Sequence, residues 1–159
     1  MRSVRWLVSL SVLGGMLVIM GGLASAQTCS VTVTPVSFGM YNVFSTTPLW
    51  STGTVTYNCT NQTRVADSIT IWMSKGNGTS NNPRQMTGAI YPLNYYLCQD
   101  ANCNKLWGDK GFPSDSGPIT IPAGTVNQSV SLPIYGKIPE GQDVPTGTYT
   151  DTILVEIDF

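Results

Sequence analysis

The last thirteen residues, from Gly147 to Phe159, place Tyr149, Ile153, Val155, Ile157 and Phe159 on one parity. Period-2 alternation of this kind is the pattern of a β-strand with one buried face. A strand this apolar on its inner side needs a neighbour along each edge, and we expect no turn or further strand after Phe159 to provide one. The segment is therefore a candidate docking edge for another chain.

At the other end, Arg2 and Arg5 precede an uncharged stretch from Trp6 to Leu23, and Ala24-Ser25-Ala26 gives a small-x-small pattern before Gln27. Residues 1–26 read as a secretory signal peptide, and 27–159 as the mature domain. The apolar stretch is also long enough to anchor in a membrane, but the Ala24/Ala26 pair argues for cleavage. A lipoprotein would carry a cysteine at the cleavage point, whereas Gln27 and Thr28 stand before Cys29. Removing 26 of 159 residues leaves 133, enough for one domain that buries roughly two thirds of its unfolded surface. Loss of Arg2 and Arg5 leaves six basic against nine acidic side chains. The remaining basic residues, Arg64, Lys75, Arg84, Lys105, Lys110 and Lys137, are scattered, so the electrostatic footprint of a nucleic-acid binder is missing.

All four cysteines, Cys29, Cys59, Cys98 and Cys103, lie in the mature part, and an even count in an exported chain reads as two disulfides. Three pairings are open. Cys98 and Cys103 flank only Gln99-Asp100-Ala101-Asn102 between two β-like runs, so a local bridge across a hairpin is the simplest choice, and it leaves Cys29 for Cys59. A four-thiolate zinc site would want two close pairs, and only one exists.

Short β-rich runs alternate with turn residues, and no stretch holds a helical period. We expect strands at Cys29–Val33, Thr54–Cys59, Ser68–Met73, Leu93–Leu97, Val126–Ile134 and Thr148–Phe159. The core is expected from one parity of each: Val31, Val33, Val55, Tyr57, Ile69, Ile71, Leu93, Tyr95, Val130, Leu132, Ile134, Val155 and Ile157. Turn chemistry fills the gaps at Gly76-Asn77-Gly78, Asn81-Asn82-Pro83, Gly111-Phe112-Pro113, Ser116-Gly117-Pro118, Pro139-Glu140-Gly141 and Pro145-Thr146-Gly147. Six or seven such strands predict an all-β, immunoglobulin-like antiparallel sandwich, with a closed barrel as the other arrangement to weigh.

An ordered set of short motifs runs almost end to end through the mature chain: Phe38-Gly39 followed by Tyr41, Arg84-x-Met86, Leu93-x-Tyr95-x-Leu97, Trp107-Gly108-Asp109, Tyr135-Gly136-Lys137-Ile138-Pro139, Gly141-Gln142, and Pro145-x-Gly147-x-Tyr149-x-Asp151-Thr152. The set resembles the spore coat protein U domain family, which includes a secreted spore-coat protein and pilus subunits of archaic chaperone–usher systems. The resemblance implies an incomplete immunoglobulin-like sandwich lacking its final strand. It implies a periplasmic chaperone that lends a strand, an outer-membrane usher, and other pilin or coat subunits as partners. The strand-acceptor edge would be Ile153, Val155, Ile157 and Phe159 together with Val31 and Val33. A donor extension needs about ten residues ahead of the first cysteine, since a strand covers roughly 3.3 Å per residue. After cleavage only Gln27 and Thr28 remain, so the expected role is strand acceptor without strand donor, at a tip or cap position.

Signs of catalysis are poor. The chain has no histidine, the usual general base and catalytic metal ligand, and its acids are spread among turns and strand faces. No catalytic residue, cofactor or metal is expected. Asp100-Ala101-Asn102-Cys103-Asn104 opens like a calcium loop, but Lys105 stands where that loop needs Gly and Gly111 where it needs Glu, so a hairpin tip is the reading preferred. Trp107 is expected over a sheet edge, with Asp109 capping a turn. Asn-x-Ser/Thr triplets at Asn58, Asn61, Asn77 and Asn127 are read as turn and outer-face composition. Trp50, Trp72, Tyr91 and Tyr96 would suit an aromatic surface for sugars or abiotic surfaces, against the plainer account in which Trp72 and Tyr96 pack under a loop. The expected function is thus an exported, non-enzymatic structural subunit, found in the periplasm in transit and then at the cell surface, in a pilus or in a spore coat. A coat component outside any pilus, or a free-standing carbohydrate- or surface-binding adhesin, are the alternatives.

Overall fold

The computed structural model describes residues 27–88, 90–110 and 116–159. The proposed signal peptide and the expected turn at Gly111-Phe112-Pro113 lie outside the described residues. Among the described residues there are eight strands: β1 Gln27–Thr34, β2 Leu49–Asn61, β3 Asp67–Met73, β4 Arg84–Met86, β5 Leu93–Cys98, β6 Ile119–Ile121, β7 Thr125–Ile138 and β8 Val155–Asp158. They make two antiparallel sheets, one ordered β1-β2-β7-β5-β4 and the other β6-β3-β8. The result is a two-layer, immunoglobulin-like sandwich.

The long β2 and β7 form the spine, paired from Leu49↔Ile138 to Asn61↔Thr125. Their inner parity carries Val55, Tyr57, Ile134 and Ile138, all buried. Within that parity stand two glycines, and both are required by close approach. A Cβ on Gly136 would lie 2.5 Å from Val36 Cγ1 and 2.6 Å from Phe38 Cζ, and one on Gly53 would lie 2.5 Å from the Thr34 carbonyl oxygen. Pro35 lacks the N–H that would extend β1 along β2, and the chain beyond it lays Val36 and Phe38 into the space the glycines leave. Phe38 then meets the Tyr95 ring edge-on at 6.1 Å, a favoured aromatic geometry.

Seven of the expected core residues, Val55, Tyr57, Ile69, Ile71, Leu93, Tyr95 and Ile134, are buried. Val31, Val130, Leu132, Val155 and Ile157 pack on that core but remain half-buried, and Val33 is 45% exposed. The incompletely covered positions include those of two of the four edge strands, β1 and β8, and that is where the sandwich is open. Trp107 departs from expectation: it is fully buried rather than laid over an edge, because Trp107 N pairs with the Leu97 carbonyl and Nε1 points to the Pro133 carbonyl at 3.4 Å. Asp109 Oδ1 accepts from the N–H of the next residue, Lys110.

The terminal strand is shorter than expected. Only Val155–Asp158 forms a regular ladder, with β3. Upstream, Thr150 bridges to Thr87 beside β4, at the edge of the other sheet, and Leu154 pairs with Ser74. The segment crosses from one sheet to the other and cannot keep a single neighbour. Its entry is fixed by Tyr149, whose hydroxyl donates to the Pro145 carbonyl at 2.7 Å, four residues upstream. This is the tyrosine corner of immunoglobulin-like sandwiches.

Cys29 is bonded to Cys59, its direct partner in the β1–β2 register, and Cys98 to Cys103. The two bridges span sequence separations of 30 and 5. On a chain-entropy estimate the longer loop is worth about 1.5 kcal/mol more, so Cys59→Ala is expected to lower the denaturation midpoint further than Cys103→Ala. Urea denaturation should also show Ile71→Ala losing about 2–5 kcal/mol, the range for a buried truncation. Thr70→Ala, on the outer parity, should lose far less.

Candidate functional site, an apolar groove between two strand edges

Among the described residues, β1 ladders only with β2 and β8 only with β3. Both therefore carry one edge of unpaired N–H and C=O groups, and the two edges lie on the same side of the sandwich. Between them runs a groove of about 1170 Å³. Its floor is the hydrophobic core itself: Met73, Leu93, Tyr95, Leu97, Ile134 and Ile138. Its lips are Val31 and Val33 of β1 on one side and Ile153 and Val155 on the other, and the segments Val36–Tyr41 and Val144–Tyr149 complete its walls.

Four of the six edge residues expected from sequence, Val31, Val33, Ile153 and Val155, thus line one groove. The other two do not. Ile157 is turned onto the core opposite Ile71, its register partner. Phe159 lies beyond the last ladder residue and is 60% exposed. The mismatch follows from the crossing of the terminal segment, which joins β3 from Leu154 and Val155 onward and carries Ile157 past the end of the groove.

A polar cluster under this segment escaped the sequence reading. Asp151 shares the parity of Tyr149 and Ile153, where an apolar residue is due. Its Oδ2 accepts the Tyr95 hydroxyl at 2.7 Å, and its Oδ1 accepts the backbone N–H groups of Asn77 and Thr152, both at 2.7 Å. Gly76, at φ 71°, leaves the room, since a Cβ there would collide with the Asp151 carboxylate. Beside the cluster, Arg84 is fully buried and donates through Nε to the Ser74 carbonyl (3.0 Å) and through Nη2 to the Met73 carbonyl (2.9 Å). It closes the exposed end of β3 from the opposite sheet. Its Nη1 has no hydrogen-bond partner. Burial holds the guanidinium below its ordinary pKa, against the opposing influence of Tyr95, Asp151 and Asp109. The available signals were Arg84-x-Met86 and Tyr149-x-Asp151, each a charged residue on a strand's apolar parity.

At the far tip, Asp100 accepts backbone N–H groups from Asn102 and Asn104 through Oδ1 and from Lys105 through Oδ2. These bonds hold its carboxyl below the usual range, and they give the acid a role in shaping the hairpin tip. Trp72 Nε1 donates to Asp158 at 2.9 Å, which is also 2.8 Å from Lys110 Nζ. Trp72 is thereby tied across the three-stranded sheet to β8.

The Tyr95 hydroxyl has its pKa raised, first by burial and then by the hydrogen bond to Asp151. The unfolded chain releases this proton near pH 10 while the folded chain retains it, so stability is intact below that value and falls as the pH rises beyond it. Alkaline denaturation midpoints should show the decline, and Tyr95→Phe should make it shallower while costing about 1–3 kcal/mol at neutral pH through the lost partner of Asp151.

Comparison with known proteins gives this architecture relatives. The sequence model of the Spore Coat Protein U domain matches residues 16–156. Protein U of Myxococcus xanthus is 29% identical over 115 residues, which cover 70% of this chain and 61% of that protein. The chain thus spans about three fifths of that relative's length. Among solved structures, one chain of the CsuC–CsuE chaperone–tip adhesion subunit pre-assembly complex from archaic chaperone–usher Csu pili of Acinetobacter baumannii is similar in fold. The TM-score is 0.55 and the identity 20%, over 84% of this chain and 40% of that one. With the family match reaching across both sheets and all four cysteines, the chain belongs to the Spore Coat Protein U domain family.

Proposed function

We propose that this chain is an exported structural subunit of a bacterial surface assembly, and that its groove is completed by a β-strand taken from a partner. The observation that carries this reading is the pair of unladdered edges, β1 and β8, facing each other across an apolar floor. An inserted strand would satisfy backbone groups on both sides while its alternate side chains cover Leu93, Tyr95 and Ile134. No catalytic step is part of the reading.

The partner during export would be a periplasmic chaperone, followed at an outer-membrane usher by the extension of another pilin or coat subunit. The likeness in fold to a chain of a chaperone–subunit pre-assembly complex supports the chaperone step. The match to the Spore Coat Protein U domain model supports a second destination, a coat outside any pilus, through the same groove. With cleavage after Ala26, Gln27 and Thr28 are the residues left ahead of Cys29, and both are already laddered to β2 at Asn61 and Thr60. Such a subunit accepts a strand and has none to offer, which fits a tip or cap position.

Mature protein mixed with a synthetic peptide copying a companion subunit's N-terminal extension should melt several degrees higher, by mass action on the folded state. Val33→Asp places a charge at the groove lip at a position exposed enough to leave the fold intact, and should abolish the gain. A melting temperature indifferent to every such peptide, together with failure to recover a one-to-one complex on co-expression with a chaperone, would contradict the proposal. Long fibres formed by the protein alone would contradict its acceptor-only part.

A further inference from the structure

A second recess lies on the outer face of the five-stranded sheet, behind the groove. Trp50 of β2, Lys137 of β7 and Tyr96 of β5 occupy one row of that face, since Trp50 pairs with Lys137 and Lys137 with Tyr96. Lys137 Nζ stands 5.4 Å from the centroid of the Trp50 ring, within cation–π range. Next to this row is an open notch of about 510 Å³ in which Tyr96 and Lys137 are joined by Asn82, Asn104 and Glu140 and by the apolar surface of Cys103, Leu106 and Pro139.

The notch is built by the local sequence. The Cys98–Cys103 bridge and the Asp100 carboxylate fix the hairpin tip, so Asn104 is held on a stiff wall. Asn82 comes from the turn ahead of β4, and Glu140 from the turn that Gly141 closes at φ 70°. Within the described protein, no hydrogen bond or ion pair engages the side-chain polar groups of Asn82, Tyr96, Asn104, Lys137 or Glu140. Asn82, Asn104 and Glu140 are exposed and Tyr96 and Lys137 half-buried, so these polar groups stand free for water or a ligand.

The mixture of groups selects the ligand. An anion drawn to Lys137 would meet Glu140, and a cation drawn to Glu140 would meet Lys137. An apolar ligand would strip water from five polar groups and gain only the small apolar surface of Leu106, Pro139 and the Tyr96 ring in return. A neutral ring bearing hydroxyls fits all of them, with a C–H face on Tyr96, hydroxyl donors toward Glu140 and the carboxamide oxygens, and hydroxyl acceptors toward Lys137 and the carboxamide nitrogens. We propose that this notch is a binding site for a neutral saccharide, and that it stays open while the groove on the other face holds a strand.

The mature protein would be titrated calorimetrically with cellohexaose, chitohexaose, maltohexaose and mannohexaose, and with oligogalacturonate as the anionic comparison. Saturable binding of at least one neutral hexasaccharide, stronger than that of oligogalacturonate, is expected. Tyr96→Ala and the surface pair Asn104→Ala/Glu140→Ala should each weaken it at least tenfold, leaving the melting gain from a donor peptide unchanged. Val33→Asp should bind the saccharide normally, so this site and the groove succeed or fail separately. No binding to any neutral hexasaccharide, preference for oligogalacturonate, or affinity indifferent to the Asn104→Ala/Glu140→Ala pair would each overturn the proposal.

Discussion

The constraint on which this structure turns is the unfilled ladder between β1 and β8. A sandwich whose two sheets are both edged at the same side exposes the floor of its own core there, and it leaves two rows of backbone donors and acceptors unmatched. The molecule manages this opening with several local devices. The Cys29–Cys59 bridge ties β1, which has one strand neighbour, to the long β2. Tyr149 and Asp151 clamp the chain on the opposite lip, to Pro145 on one side and to Tyr95 and Asn77 on the other. Val36 and Phe38, admitted by Gly53 and Gly136, pack into the wall beyond β1. Each device holds an edge in place without covering it.

Much of this was legible because it is local. Alternation along β1, β3, β5 and the spine fixes which side chains face inward, and the inward set of Val55, Tyr57, Ile69, Ile71, Leu93, Tyr95 and Ile134 is buried as its parity requires. The pairing of Cys98 with Cys103 needs only a short polar loop, and the pairing of the other two follows from it. What stayed hidden is tertiary. Nothing in the period-2 pattern says that Gly136 is small because Val36 and Phe38 lie on it, or that Gly76 makes room for the Asp151 carboxylate. The short strands β4 and β6, three residues each, are too brief to show a period.

The terminal segment shows the same limit at the site. Its parity is right from Tyr149 to Ile157, but a pattern cannot reveal that the chain changes sheets by Leu154, so Ile157 and Phe159 share the parity of Ile153 and Val155 without joining them in the lining of the groove. The two acidic and basic exceptions on apolar parities, Asp151 and Arg84, mark where this crossing is pinned.

Amide hydrogen exchange, followed residue by residue with and without a companion subunit's N-terminal extension, tests the central claim most directly. Exchange protection reports which backbone groups become bonded. The account predicts that N–H groups along β1 and along Ile153–Asp158 that have no ladder partner exchange freely in the protein alone and become protected together when the peptide binds. Protection of those two edges in the protein alone, or peptide binding that protects neither, would contradict it.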